Sequence, residues 1–79
     1  MYYTYRLKSI AFPNQSYIGS STDLKRRLAE HNSGKCSHTS KCMPWTVDFY
    51  CAFPSLDKAQ AFERYLKTGS GYEFARRHF

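Results

Sequence analysis

Two basic side chains in the first half of the sequence stand where a helix would bury them. In a helix predicted for residues 23–32, Leu24 and Leu28 form an apolar stripe, and Arg27 and His31 fall beside it, one turn apart. Burying an unpaired guanidinium costs several kcal/mol, so this position indicates an anionic partner or an open cleft. Phosphate is a suitable anionic partner for Arg27, because one planar guanidinium can donate hydrogen bonds to two phosphate oxygens at once. The alternative is that Arg27 extends to solvent and that His31 is an ordinary boundary residue.

Tyrosine side chains are the other polar groups expected near this pair. Tyr17 lies on a short predicted strand directly before the helix, and Tyr5 lies on the strand before that. A helix that folds back over its own hairpin would bring Arg27 and His31 toward both rings. Tyrosines on strands usually pack in a core, so their residue type alone assigns no role.

A second group of residues raises the question of a zinc site. Cys36, His38 and Cys42 are close in sequence, and Cys51 would complete a set of four ligands. However, the spacing matches no common structural zinc pattern, and Cys51 falls within a predicted strand. Three cysteines cannot all pair within one chain, and nothing suggests secretion. We therefore predict reduced thiols, with neither zinc nor a disulfide.

Length and charge narrow the class of protein. The chain has 79 residues, which predicts one small domain, and 12 Lys and Arg against 6 Asp and Glu give a net charge of +6. This excess favours an anionic partner such as nucleic acid, although a merely solvated basic surface has the same composition. No helix combines a strong apolar face with a basic face, which argues against a membrane-surface protein. Without a signal peptide or an apolar run of about 20 residues, we expect a cytoplasmic protein.

Hydrophobic periodicity predicts the elements that must position these residues. Turn residues follow the first strand at Pro13, and Ser21 or Thr22 would cap the first helix. Gly34 would end that helix, and residues 35–44 would form a polar loop with at most one helical turn. Strands are predicted at residues 2–10, 16–20 and 45–53, and helices at residues 23–32, 56–67 and 72–79.

The last strand and the helix after it show the clearest periodicity. Residues 45–53 alternate, which places Trp45, Val47, Phe49, Cys51 and Phe53 on one predicted face. Ser55 is placed to cap the next helix, whose buried stripe would contain Ala59, Phe62 and Leu66. The residues "GSG" would break that helix. The order ββαβαα predicts an α+β fold, a three-stranded antiparallel sheet flanked by helices.

Several segments together resemble one known family. They are "YTY" at residues 3–5, "YIG" at 17–19, "DLKRRLAEHNSGK", "PWTVDFY" and "AFERYLKTGSG". With Arg27 ten residues after Tyr17 and Glu63 in a later helix, the chain resembles the GIY-YIG nuclease domain in its small, stand-alone bacterial form. That form is related to the N-terminal catalytic domain of the excision-repair incision subunit. The resemblance implies the fold just described and metal-dependent cleavage of DNA phosphodiester bonds.

The resemblance also implies roles for individual residues. Tyr5 and Tyr17 match the tyrosines of its two motifs, and Arg27 matches the arginine that binds the phosphate. Glu63 matches the sole protein ligand of a divalent metal, Mg²⁺ or Mn²⁺. His31 matches a histidine of the restriction-type branch and of many small members.

Three departures from the family pattern bear on these roles. Tyr3 and Thr4 replace the Gly-Ile of the family name. Ser20 stands where the incision subunit has a lysine, so a lysine-assisted base is not available there. No asparagine follows Asn32, whereas some relatives carry one beyond the glutamate to support the metal site.

Phosphodiester hydrolysis gives these residue types a chemical rationale. It needs a base to activate water and cations to stabilise negative charge in the transition state. Tyrosine, with a pKa of about 10, is a poor base unless a neighbouring cation favours its phenolate. We therefore expect Tyr5 or Tyr17, helped by His31, to activate the water, and metal on Glu63 to neutralise the phosphate oxygens. The sequence leaves open which tyrosine is the base.

Further basic residues could extend the contact with DNA backbone phosphates. The same charges could equally serve solubility. The substrate could be single-stranded, flap or branched DNA, a protein partner is possible, and a non-catalytic nucleic-acid-binding module with the same fold is the alternative function. The candidate DNA-contacting residues are Arg26, Lys35, His38, Lys41, Arg76 and Arg77.

Overall fold

A computed structural model describes residues 1–78 of the chain. Phe79, which the sequence placed in the last helix, lies outside the described residues. Within them, no helix is long and apolar enough to cross a membrane. The elements are β1 (Tyr2–Ser9), β2 (Ser16–Ser21), α1 (Leu24–Asn32), a 3₁₀ turn (Ser40–Cys42), β3 (Trp45–Phe53), α2 (Leu56–Leu66) and α3 (Gly69–His78).

The three strands form one antiparallel sheet in the order β2-β1-β3. β1 is central, and it pairs with β2 so that Tyr5 lies opposite Gly19 and Leu7 lies opposite Tyr17. One face packs against α1 around Leu7 and Trp45, and the other face packs against α2 and α3. The predicted α+β fold and the order ββαβαα are therefore confirmed.

The two faces of β3 differ from the prediction. A register shift between Arg6 and Leu7 leaves Asp48 between the paired residues Val47 and Phe49. The extra residue reverses the alternation, since side chains alternate with a period of two along a strand. Trp45 and Val47 therefore face α1, whereas Phe49 faces α2 and α3. The prediction of one common face was wrong at this point.

The ends of the helices show how local sequence sets their bounds. α1 is capped by Asp23, whose carboxylate accepts a hydrogen bond from the Arg26 amide at 3.0 Å. The predicted caps Ser21 and Thr22 were therefore wrong, because the helix begins later than expected. Gly34 follows the end of α1 with a φ of +81°, as predicted for a glycine terminator. Ser55 caps α2 as predicted, accepting from the Lys58 amide.

The glycine segment after α2, residues 69–71, is the first turn of α3. It does not form a loop between the two helices. α3 starts at Gly69, and the Gly71 amide donates to the Thr68 hydroxyl at 3.1 Å. A Cβ at Gly71 would lie 1.8 Å from the Tyr65 carbonyl oxygen. Gly71 thus allows the start of α3 to approach the end of α2 closely, and the predicted break is only a sharp turn.

Candidate active site

Tyr5 occupies the middle of the central strand and is 1% exposed. Its ring crosses Gly19 on β2, where a Cβ would lie 2.6 Å from the Tyr5 hydroxyl oxygen. Any larger residue at Gly19 would displace the ring. A glycine inside a strand pattern signals such a close approach, but the sequence alone did not show which group approaches.

His31 on α1 lies directly against the two tyrosines. It is 2% exposed, and its Nε2 is 3.2 Å from the Tyr5 hydroxyl oxygen. Its ring centre lies 4.8 Å from that of Tyr17, which is half-buried. On its other side, Nδ1 is 2.8 Å from the Thr39 hydroxyl oxygen. The prediction that α1 folds back over the hairpin toward both tyrosines is confirmed.

Arg27 lies one turn before His31 and is only partly paired. Its charge lies close enough to the Tyr5 hydroxyl to act on the pKa of that phenol, and its Nη1 is 3.5 Å from the Glu30 carboxylate. Its Nε is buried and has no hydrogen-bond partner among residues 1–78. A buried donor without a partner is costly, so this atom indicates where an anionic ligand would be bound.

Burial sets the protonation states of the Tyr5–His31 pair. It raises the pKa of the Tyr5 phenol, although the Arg27 guanidinium acts in the opposite direction. Burial and the nearby Arg27 charge lower the pKa of His31. At neutral pH, Tyr5 is therefore protonated and His31 is neutral. Arg27 acts to lower the pKa of the Tyr5 phenol, as expected of a neighbouring cation, but desolvation has the larger effect and the pKa is raised overall.

Glu63 on α2 lies at the β2 edge of the sheet, on the face opposite to α1. Ser20 follows Gly19 on β2 and points to the α2 side, where its hydroxyl donates to Glu63 Oε1 at 2.5 Å. Lys67 Nζ lies 2.9 Å from Oε2. Burial acts to raise the pKa of Glu63, but the hydrogen bonds from Ser20 and Lys67 lower it overall. The carboxylate is therefore ionised and held in place at neutral pH.

Glu63 is the carboxylate of this site that could hold a divalent metal. Within residues 1–78 no group of three His, Cys, Asp or Glu side chains could hold an ion. An ionised carboxylate is nevertheless a suitable oxygen ligand for Mg²⁺, which keeps several waters and takes further oxygens from substrate phosphates. Glu63 fits as a single protein ligand of such an ion. The absence of zinc and of disulfides stays a prediction, and the three cysteines are half-buried thiols.

Part of the predicted DNA-contacting set lies around this site. A cavity of about 230 Å³ is lined by Arg27, Glu30, His31, Lys35 and Cys36. Lys35 is the only member of the predicted set that lines it. The other members in this part of the chain are exposed on α1 or on the following loop: Arg26, His38 and Lys41.

The other two predicted DNA-contacting residues lie on the opposite side of the sheet, on α3. Arg76 and Arg77 are exposed on α3, across the sheet from Arg27. Arg76 pairs with Glu73 at 2.9 Å and lines a separate groove with Lys8. The structure therefore does not join these two arginines to the surface around Arg27, and their contact with DNA stays a prediction.

Fold and site together define a small α+β domain that gathers a tyrosine–histidine pair, an arginine and a carboxylate at one sheet edge. Residues 1–73 match the family described as the GIY-YIG catalytic domain. The chain belongs to this family, which confirms the resemblance found in the sequence.

Three relatives illustrate the range of the similarity. The chain is 42% identical over 67 residues to the "Structure-specific endonuclease subunit SLX1" of Malassezia globosa, covering 80% of the chain and 15% of the relative. It is 44% identical over 73 residues to the protein of the same name in Candida dubliniensis, covering 84% and 26%. It is 42% identical over 52 residues to a "UPF0213 protein" of Streptococcus pneumoniae, covering 65% and 52%. The chain thus matches 15% and 26% of the lengths of the first two relatives and about half of the third.

Proposed function

We propose that the chain is a divalent-metal-dependent endonuclease that hydrolyses phosphodiester bonds in DNA. The observation that carries this proposal is the buried, unpaired Nε of Arg27 beside a Tyr5–His31 hydrogen bond. An unpaired guanidinium nitrogen suits a phosphate oxygen, and a phenol bonded to a neutral imidazole suits the activation of water. Family membership supports combining the two into hydrolysis.

The Tyr5–His31 pair acts as the base in this mechanism. A free Tyr5 phenolate is unfavourable because burial raises the pKa of the phenol. Passing the phenolic proton to His31 Nε2 while the Tyr5 oxygen takes a proton from water avoids that species. The resulting hydroxide attacks phosphorus, the bond to the leaving oxygen breaks, and that oxygen takes a proton from solvent. The neutral state of His31 leaves Nε2 free to accept the proton.

Arg27 stabilises the charge that develops on the phosphate. Its side chain is 43% exposed and lines the cavity beside His31, so its guanidinium can meet an oxygen of the substrate there. Its bond to Glu30 is long, at 3.5 Å, and is readily exchanged for a stronger bond to phosphate. A preorganised charged donor of this kind contributes most in the transition state.

Glu63 would hold the metal, Mg²⁺ or Mn²⁺, which would neutralise the non-bridging and leaving oxygens. Ser20 orients one carboxylate oxygen of Glu63, and Lys67 occupies the other in the free protein. One carboxylate that already pairs with a lysine is a weak metal site. We therefore expect metal to bind weakly to the free protein and more tightly once DNA phosphate adds ligands.

Selection of DNA by its structure is the proposed basis of substrate choice. Two relatives are named structure-specific endonuclease subunits, which supports flap or branched DNA as the first substrates to test. The word "subunit" in those names supports a protein partner that would assist substrate recognition. Single-stranded DNA is the remaining candidate.

The first experiment incubates the chain with labelled single-stranded, duplex, flap and branched oligonucleotides in Mg²⁺, Mn²⁺ or EDTA. We expect cleavage of at least one structured substrate with either metal and none in EDTA. Binding without cleavage on every substrate would indicate a non-catalytic nucleic-acid-binding module. Cleavage in EDTA would contradict the role assigned to metal.

Glu63→Gln tests the metal ligand, with Glu73→Gln as a matched control because Glu73 is an exposed carboxylate on α3. Glutamine keeps the shape of the side chain and removes its charge, so we expect cleavage to fall by about a thousandfold or more. DNA binding in a gel shift should be equal or tighter, since a negative charge near phosphate is lost. Near-normal cleavage by Glu63→Gln would contradict the assignment, and loss of folding would make Glu63 a structural residue.

A further inference from the structure

Thr39 is a buried polar residue for which neither the sequence nor the family resemblance gave a role. It is 1% exposed although it lies in the polar loop between α1 and β3. Its amide donates to the Cys36 carbonyl at 3.2 Å, and its own carbonyl accepts from the Trp45 indole at 2.8 Å. These backbone bonds fix its position, so the hydroxyl is presented to His31 Nδ1 at 2.8 Å.

The donors and acceptors along this row of side chains set its direction. Arg27 can only donate, and its positive charge near the Tyr5 hydroxyl turns the phenolic hydrogen away from the guanidinium. The hydroxyl hydrogen of Tyr5 then needs an acceptor in a buried place, and His31 Nε2 lies within reach at 3.2 Å. An accepting Nε2 carries no hydrogen, so the neutral ring of His31 carries its hydrogen on Nδ1.

We propose that Thr39 is a positioning residue that holds His31 in the tautomer with hydrogen on Nδ1. The Thr39 hydroxyl oxygen accepts this hydrogen, and its own hydrogen points to the Cys36 carbonyl, 3.5 Å away. Thr39 acts through His31 and does not contact the substrate. The consequence for catalysis rests on the proposed function, whereas the tautomer itself does not.

The tautomer decides whether the proposed proton transfer can occur. With hydrogen on Nδ1, Nε2 presents a lone pair to Tyr5 and can take its proton. With hydrogen on Nε2, two hydrogens would meet between His31 and Tyr5 unless the Tyr5 hydroxyl turned away. A histidine held in the wrong tautomer loses its function as a base even when its position is unchanged.

The tautomer can be measured by ¹H–¹⁵N correlation spectra that distinguish protonated from unprotonated ring nitrogens, with the His31 signals identified by their loss in His31→Gln. In the unmodified chain we expect one neutral form with a protonated Nδ1. Thr39→Val removes the acceptor at nearly constant shape and should populate the other tautomer. Thr39→Ser keeps the hydroxyl and should keep the tautomer. A protonated Nε2 in the unmodified chain, or an unchanged tautomer in Thr39→Val, would overturn the proposal.

Cleavage kinetics provide the second readout, with Thr46→Val as control because Thr46 is exposed on β3. We expect Thr39→Val to lower kcat at least about tenfold with little change in KM, and Thr39→Ser to restore most of kcat. Equal losses in the Val and Ser variants would indicate a packing role and contradict the proposal. The spectra report the tautomer whether or not any DNA is cleaved, so failure of this inference is distinguishable from failure of the proposed function.

Discussion

The two faces of the sheet are built from different kinds of residue. On the α1 face, Tyr5, His31 and Thr39 are each at most 2% exposed and are joined by side-chain hydrogen bonds. On the opposite face, the core consists of Phe49, Leu66 and Ala75. The α1 face thus buries polar groups that can do chemistry beside its apolar core of Leu7 and Trp45, whereas the opposite face buries mainly apolar surface.

Apart from Glu63 on α2, the residues proposed to act on DNA therefore lie on the α1 side. Burial of apolar side chains is the main favourable contribution to folding, so packing defects on the α2 and α3 side should unfold the chain. Conservative changes on the α1 side should alter activity while the fold is kept. Each prediction below tests one side of this comparison.

Of these variants, Gly71→Ala should have the largest effect, which is a loss of stability. The added methyl group would lie 1.8 Å from the Tyr65 carbonyl oxygen, so the start of α3 must move away from α2. We expect the free energy of unfolding to fall by at least about 3 kcal/mol. Gly69→Ala is the control, since its Cβ would meet nothing within 4 Å. Denaturant unfolding curves measure both, and equal stability of the two variants would refute the close packing.

Arg27→Lys should have the next largest effect, which is a loss of cleavage activity. Lysine keeps the charge but loses the planar pair of donors, so cleavage should fall by about 100-fold or more. Stability should change little, because lysine keeps the positive charge and the exposed Arg27–Glu30 pair, at 3.5 Å, is a weak contact. Single-turnover cleavage and thermal unfolding test the two halves separately. Near-normal cleavage would return Arg27 to an ordinary surface residue.

His31 should make the stability of the chain depend on pH. Burial and Arg27 lower its pKa in the folded state, so the unfolded chain binds more protons as the pH falls below about 6.5. The free energy of unfolding should therefore decrease from pH 7 toward pH 5, until the pH passes the folded pKa. His31→Gln should show a weaker dependence over the same range. An unchanged slope in that variant would show that His31 is not buried as a neutral ring.

Lys35→Ala should give the smallest effect, a change in the salt dependence of DNA binding. Lys35 lines the cavity beside Arg27, whereas the control Lys58 is exposed on the α2 side. Losing one phosphate contact should reduce the slope of log affinity against log salt by about 1. Fluorescence anisotropy at several salt concentrations measures the slope. An equal change in Lys58→Ala would mean that DNA does not prefer the α1 side.

The sequence predicted the parts of this structure that depend on local pattern. Alternation and helical periodicity were sufficient for the three strands, the three helices and the cap at Ser55. The spacing of Arg27 and His31 on one helix also predicted their approach to Tyr5 and Tyr17, which the structure shows.

Features that depend on contacts between distant segments were missed. The register shift at Asp48 arises from pairing with β1, and the need for glycine at residue 71 arises from the packing of α3 on α2. Thr39 gave no signal because a threonine in a polar loop is ordinary. Its importance follows only from its burial against His31 in the folded chain.

The position of β2 at the sheet edge has a consequence for how such chains can vary in length. Gly19 makes room for Tyr5 on one face, and the next residue, Ser20, holds Glu63 on the other. One residue inserted within Ser16–Ser21 would exchange these faces and separate the two halves of the site. The exposed hairpin loop of residues 10–15 has no such constraint, since longer surface loops cost little. Insertions and deletions between the two tyrosine motifs should therefore accumulate in that loop, while the length of β2 stays constant.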